Sequence, residues 1–224
     1  MTRTSGVSSG FERGFKSWCE NTSESIRVKM GLMPHSPLAA LELAKKLDVE
    51  VWNLSEVPGL SASTSSFLSS EAGNEWSAVT VQANGRQIVV LNPRHSDARR
   101  SSTLMHELAH VIRQHPPAQA VTSESGFVIR VFEEKQEAEA DWLAGTLLLP
   151  RAALAYCSSK RIPVPEILAA YNVSNALYGY RMRMTGVSRQ FARNGHGKRM
   201  SGVVMLQRNR PSSTLQGLQG QQPH

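Results

Sequence analysis

Apolar residues recur every third or fourth position in several parts of the chain, which is the spacing of helices that bury one face. The first such segment has Ser36 as a suitable N-cap and Pro37 at its first helical position, and it predicts a helix to about Lys46. Alternating residues at 49–52 predict a strand directly after this helix. The pattern therefore places a helix and a strand early in the folded region.

A β-hairpin is predicted at 77–91, where apolar and polar residues alternate on both sides of a turn signal. Asn84 and Gly85 supply the positive φ angles that a tight hairpin turn requires, and 87–91 forms the returning strand. The stretch at 55–75 is dominated by Ser, Gly, Pro and Ala, so we expect it to be a connecting surface loop.

Two longer helices are predicted after the hairpin. The first, capped by Ser96 or Asp97, runs to about Gln114 and stops at the following prolines, which makes His115 a terminal surface histidine. The second covers about 131–149, and its acidic start suits the positive end of the helix dipole. The stretch between these two helices is expected to be a variable connection.

The last quarter of the chain predicts two short helices, at 165–170 and 175–184, joined by a turn at 171–173 and capped by Ser174. This is the outline of a helix-turn-helix. The net charge of +7 is concentrated here, because eight basic and no acidic residues follow Glu166 while the preceding part sums to about −1. A nucleic-acid contact would therefore involve this quarter, through Asn175, Tyr178, Arg181 and Arg183.

The first long helix carries the strongest chemical signal, His-Glu-Leu-Ala-His at 106–110. Residues four apart lie on one helical face, so His106 and His110 can present two imidazole nitrogens to one metal ion. Glu107 lies one position round the helix, where it can hold a metal-bound water without being a ligand. A buried, hydrogen-bonded histidine is the simpler explanation for one such residue, but the apolar setting and the adjacent glutamate favour a metal site.

Catalytic zinc usually has three protein ligands, so a third is expected on the second long helix. Glu137 is assigned as this ligand, and Asp141, one turn later, as the carboxylate that accepts the other ring N–H of a metal-bound histidine. Two imidazoles and one carboxylate suit zinc, with manganese as the alternative, and one ion per chain. The remaining acidic residues at this helix start are expected to form a solvated face: Glu133, Glu134 and Glu139.

These residues predict metal-assisted hydrolysis of a peptide bond, with Glu107 as general base toward the metal-activated water. The strand 87–91 is a candidate edge for pairing with an extended peptide. A further donor to the oxyanion is expected, and five candidates remain open: Tyr156, Tyr171, Tyr178, Tyr180 and His115.

The chain resembles the ImmA/IrrE family of metallopeptidases, which are small and gluzincin-like. The resemblance is carried by the motif at 106–110 and by Glu137-x-x-Ala140-Asp141 followed by Leu-Leu-Leu-Pro at 147–150. Looser similarity covers about 25–190. Asp141 stands where family members typically have Asn, as Leu143 does for Phe and Leu149 for Met; the Asp is closer to the broader gluzincin pattern.

The resemblance implies an α+β fold: a zincin-like metallopeptidase core with a small antiparallel sheet or hairpin, an active-site helix, a third-ligand helix and C-terminal helices. It also implies a cytoplasmic enzyme whose protein substrate is a helix-turn-helix repressor, cleaved after a stress signal or during induction of a mobile element. The expected organisation is a flexible arm at 1–24, a metallopeptidase domain at 25–187, of which 163–187 forms the C-terminal helices, and a basic, disordered tail at 188–224.

Composition agrees with a cytoplasmic protein. Cys19 and Cys157 are far apart and match no metal spacing, so reduced thiols are expected. No apolar run approaches the length of a membrane span, and the N-terminus lacks the apolar segment of a signal peptide.

Two alternatives to the enzyme stay open. In one, the protein is a DNA-associated regulator with a structural or vestigial metal site, for which His115 would be the nearest fourth ligand. In the other, an interaction module senses a metal. The basic C-terminus also permits a weak nucleic-acid contact beside enzymatic activity.

Overall fold

The computed structural model describes residues 10–70, 76–83, 85–116, 119–122, 128–131 and 133–193. The parts of the predicted arm at 1–9 and of the predicted tail at 194–224 lie outside the described residues. In chain order the helices and strands are α1 Phe15–Lys29, α2 Ala40–Lys46, β1 Val49–Trp52, α3 Ala62–Leu68, β2 Ala78–Ala83, β3 Arg86–Leu91, α4 Asp97–Arg113, β4 Gln119–Thr122, β5 Val128–Val131, α5 Glu134–Leu148, α6 Arg151–Lys160, α7 Val164–Tyr171, α8 Asn175–Thr185 and α9 Val187–Arg193.

The predicted hairpin is confirmed as β2 and β3, which pair antiparallel from Ala78 opposite Leu91 to Ala83 opposite Arg86. Gly85 has a φ of 75° at the turn, a value that glycine adopts without the clash a Cβ would cause. The strand β1 adds parallel to β3, so the order is β1-β3-β2 and β3 is central. The expected edge role of 87–91 is therefore wrong, and β2 is an edge of this sheet.

Both faces of β3 are buried, which explains its nearly continuous apolar run. Val89 and Leu91 belong to the main core, whereas Ile88 and Val90 form a smaller core with Leu54 on the other face. Residues 57–68 cover that second face and contain α3, capped by the Ser61 hydroxyl, so the expectation of a plain loop at 55–75 is wrong there.

The helices α4 and α5 pack against each other and together contribute much of the main core. Ala109 on α4 and Ala140 on α5 are fully buried, and such small residues allow two helices to approach closely. The predicted N-cap of α4 is confirmed, because the Ser96 hydroxyl accepts a hydrogen bond from the Arg99 N–H. The connection between α4 and α5 contains the strand pair β4–β5, which the sequence did not indicate.

The helix α1 corrects the prediction of a loosely held arm for residues 15–24. Its buried positions are four residues apart, at Phe15, Cys19, Ser23 and Arg27. Two of the four side chains are polar, so the buried stripe does not appear as an apolar period. The segment packs on α5 and is part of the folded unit.

Two buried arginines hold the carboxyl end of α5, whose last carbonyls have no partner within the helix. Arg27 donates to the Leu147 carbonyl at 2.7 Å, and Arg181 donates to the Leu149 carbonyl at 3.0 Å. Arg181 also donates to a Glu20 carboxylate oxygen at 2.6 Å. Because Glu20 and Arg27 both lie on α1, this helix helps to fix the position of α5.

The C-terminal helices agree in part with the sequence prediction. The two predicted short helices are confirmed as α7 and α8, and Ser174 caps α8. The helix α6 was not predicted, and α9 replaces the expected disorder up to residue 193, with Val187 fully buried.

The helix α2 begins at Ala40, so Ser36 is not its cap. No helix in the described ranges is long and apolar enough to cross a lipid bilayer.

Arg27→Met should destabilise the fold, because it removes the donors to the Leu147 and Ser36 carbonyls inside the core. We expect a loss of about 3 kcal/mol in the free energy of unfolding, measured by urea denaturation. Lys29→Met, at an exposed position of the same helix, should change it by less than about 0.5 kcal/mol. Equal, small changes in both variants would contradict the capping role of Arg27.

Candidate metal centre

The two histidines of the α4 motif face each other as the helical spacing predicts. Their Nε2 atoms are 3.1 Å apart, and the ring planes meet at 65°. Both side chains are mostly buried, with 22% of His106 and 20% of His110 exposed. The pair thus presents two nitrogen atoms to one point beside α5.

The helix α5 brings Glu137 to the same point. One carboxylate oxygen is 3.3 Å from His106 Nε2, and the other is 3.5 Å from His110 Nε2. The ligand atoms of these three residues lie within 4.8 Å of one another, so the group could hold a metal ion. Within the described ranges it is the one such group of histidine, cysteine and acidic residues. Two imidazole nitrogens and a carboxylate are a donor set that fits zinc or manganese.

Asp141 holds the other ring nitrogen of His106. Its Oδ1 atom is 2.8 Å from His106 Nδ1, although 76% of the Asp141 side chain is exposed. Burial opposes the charged form of His106, but the hydrogen bond and negative charge of Asp141, with the charges of Glu107 and Glu137, raise its pKa above the ordinary value. The carboxylate therefore both orients this ring and stabilises its positive form.

His115 contacts the other ring nitrogen of His110, which corrects its prediction as a surface histidine. The two Nδ1 atoms are 3.0 Å apart, and only 7% of the His115 side chain is exposed. The helix ends with Gln114 at a φ of 55°, and the His115 N–H then donates to the His110 carbonyl at 3.0 Å. This turn brings His115 back against α4. The sequence did not predict the turn, because Gln114 stands at the left-handed position that glycine usually occupies.

Glu139 is buried behind His115, so its prediction as part of a solvated face is wrong. Its Oε2 atom is 3.4 Å from His115 Nε2 and accepts a 2.9 Å hydrogen bond from Arg113 Nε. The sequence contained a signal for this burial, because Glu139 lies one turn before Leu143 and two turns before Leu147 on the same helical face, and both leucines are fully buried.

Burial and the charge of His106 lower the pKa of His110, with smaller opposing contributions from Glu137 and Glu107.

Glu107 is half-buried beside the histidines, and a residue of the sheet donates a hydrogen bond to its carboxylate. The Thr80 hydroxyl on β2 donates to its Oε2 atom at 2.7 Å. The sequence did not indicate Thr80, because the hydrogen bond joins residues 27 positions apart. This hydrogen bond fixes the Glu107 carboxylate next to β2, an edge strand of the sheet.

The candidate oxyanion donors are distributed over different parts of the molecule. Tyr180 lines a cavity of about 970 Å³ that also has His106 and Asp141 in its wall. Tyr171 donates to the His35 carbonyl, and Tyr156 stacks on the His35 ring at 3.9 Å, so both are engaged elsewhere. His115 contacts His110 and Glu139, as described above.

The C-terminal candidates for DNA contact are also separated by the fold. Arg181 is fully buried and bound to Glu20 and the Leu149 carbonyl, so its prediction as a DNA contact is wrong. Asn175 and Arg183 are exposed, and Tyr178 is half-buried against the core.

The chain matches the model of a known protein family. None of the curated proteins compared with the chain matches it. The model of the peptidase M78 family, described as an IrrE N-terminal-like domain, matches residues 63–183, which is more than half of the chain. The matched range contains the whole of α4 and α5 with the His-His-Glu group. The chain therefore belongs to the peptidase M78 family of IrrE N-terminal-like domains, as its resemblance to the ImmA/IrrE metallopeptidases predicted.

Proposed function

We propose that this protein is a metal-dependent endopeptidase that cleaves a protein partner. His106, His110 and Glu137 would bind one zinc or manganese ion, and Glu107 would be the general base. The observation that carries the proposal is the convergence of three ligand atoms from α4 and α5 beside a separately held glutamate. Family membership supports the same class of activity.

The position of His115 supports an enzymatic over a purely structural metal site. Its Nδ1 atom is directed to the Nδ1 atom of His110, which is the nitrogen that lies away from Glu137. His115 therefore does not supply a fourth ligand in this arrangement. Three protein ligands are typical of catalytic zinc, whereas structural sites are closed by four.

A bound divalent cation would supply Lewis acidity, which makes water a better nucleophile near neutral pH and polarises the scissile carbonyl. Glu107 would accept the proton of the attacking water and deliver it to the leaving nitrogen. Thr80 would keep the Glu107 carboxylate in place during both proton transfers. Asp141 would hold His106 in the tautomer that leaves Nε2 free for the metal.

The substrate would add as an extended strand to the edge formed by β2. In the described part of the chain, β2 pairs on one side with β3 and has no partner on the other. Val81 on this strand is 41% exposed, and Thr80 links the same strand to Glu107. An extended peptide on β2 would thus lie beside the base, with backbone hydrogen bonds giving affinity.

The identity of the substrate is proposed from the family resemblance: a helix-turn-helix repressor in the cytoplasm. We also propose that the catalytic domain begins with α1 and not at residue 25, because α1 packs on α5 and holds its end.

Glu137→Ala should remove most of the bound metal, because it deletes the one carboxylate of the three-ligand group. The measurement is metal content after dialysis, by mass spectrometry of the purified protein. Glu134→Ala, at an exposed position of the same helix, should retain about one equivalent per chain. A wild-type protein that takes up neither zinc nor manganese would contradict the proposal.

Glu107→Gln should retain the metal and lose cleavage by a factor of about 10²–10⁴, because the amide cannot accept the proton. Cleavage is measured on an unfolded protein such as casein and by labelling new N-termini in a cell extract. The variant serves as its own folding control through its metal content. Wild-type cleavage by this variant would remove Glu107 from the mechanism.

Thr80→Val should lower kcat about tenfold at unchanged metal content, because the loss of one hydrogen bond leaves Glu107 less well fixed. Thr80→Ser keeps the hydroxyl and should retain most of the activity. A valine variant with the wild-type kcat would show that the hydroxyl does not position the base.

A further inference from the structure

The two histidines of the metal centre are supported in different ways. His106 is held by the exposed carboxylate of Asp141, at 2.8 Å. His110 instead contacts a second histidine, His115, whose side chain is buried and is followed by buried Glu139. Two side chains in succession, each almost wholly buried, therefore support His110.

Proton positions in this sequence of groups follow from the donors and acceptors. If His110 uses Nε2 toward the metal, its proton is on Nδ1 and can be donated only to an acceptor. The acceptor at 3.0 Å is His115 Nδ1, so the His115 proton must be on Nε2. The His115 Nε2–H then donates a hydrogen bond to the Glu139 carboxylate, whose Oε2 atom is 3.4 Å away. One arrangement of protons thus satisfies both contacts of His115.

Arg113 fixes the far end of this sequence. Its guanidinium donates to Glu139 through Nε at 2.9 Å and also through Nη2. The same guanidinium lies over the rings of Phe15 and Trp18, with its central carbon 5.3 Å and 4.9 Å from the ring centres. The aromatic residues of α1 therefore help to hold the Arg113 guanidinium beside Glu139.

We propose that His115 is a positioning residue, which accepts a hydrogen bond from the His110 Nδ1–H and is itself oriented by Glu139 and Arg113. The inference rests on the proposed metal site, since it concerns the direction of a metal ligand. His115 touches neither the metal nor the substrate. It acts by holding the His110 ring in one orientation and one tautomer, for which such outer contacts typically account for 10- to 100-fold in metal affinity.

Three substitutions separate this role from simple packing. His115→Asn keeps an acceptor near the position of Nδ1 and loses the contact with Glu139. His115→Gln keeps a donor near the position of Nε2 and loses the acceptor toward His110. His115→Leu removes both. Each is compared with the wild-type full-length chain for zinc affinity, by competition with a chromophoric chelator, and for the visible absorption spectrum of the cobalt form.

The expected result is a zinc affinity lower by about 10- to 100-fold in the Leu and Gln variants, with an altered cobalt spectrum. The Asn variant should recover much of the affinity and the wild-type spectrum. Thermal unfolding of the metal-free proteins is measured in parallel, because a purely structural role would lower the melting temperature without distinguishing Asn from Gln.

Wild-type affinity and cobalt spectrum in the Leu and Gln variants would overturn the positioning role and leave the metal site intact. Equal losses in all three variants, with equal losses of melting temperature, would also overturn it and assign His115 to packing. A wild-type protein that binds none of zinc, cobalt and manganese would instead overturn the proposed function itself, and this inference with it.

Discussion

Each histidine ring on α4 has two nitrogens. A metal site requires one nitrogen to face the metal and the other to have its own hydrogen-bond partner. A nitrogen that faces the metal position is useful only if the opposite N–H has an acceptor, since an unpaired buried donor is costly. The structure meets this requirement twice, with Asp141 at His106 and with His115 at His110. The convergence of the two Nε2 atoms therefore depends on contacts made on the far side of each ring.

One helix supplies the carboxylates for all of these contacts. Positions 137 and 141 are one turn apart on the face of α5 toward α4, whereas position 139 is turned by about 200° from 137. Glu137 and Asp141 therefore reach the histidines directly, and Glu139 enters the core and reaches His110 through His115. The position of α5 matters for each of them, and it is maintained by the buried arginines of α1 and α8.

The sequence predicted the parts of the site that follow from spacing within one element. The two histidines four apart, the adjacent glutamate and the hairpin before them needed only helical and strand periods. The contacts of Thr80, His115 and Glu139 depend on which elements meet, and no local pattern records that. The same limit explains α1, where Ser23 and Arg27 occupy buried positions that an apolar pattern would leave to solvent. It also explains why the central position of β3 was not predicted, because the parallel pairing of β1 with β3 joins segments that are distant in the sequence.

The charges around the histidines give an independent reason to expect a cation. Glu107, Glu137 and Asp141 lie around two imidazoles, and their negative charges help to raise the pKa of His106. Burial and the neighbouring His106 act in the opposite direction on His110, whose pKa is lowered. Without a metal, the positive form of His106 offsets part of this negative charge. A divalent cation held by His106, His110 and Glu137 would offset the same negative charge and would leave both rings neutral, which is the form in which they bind metal.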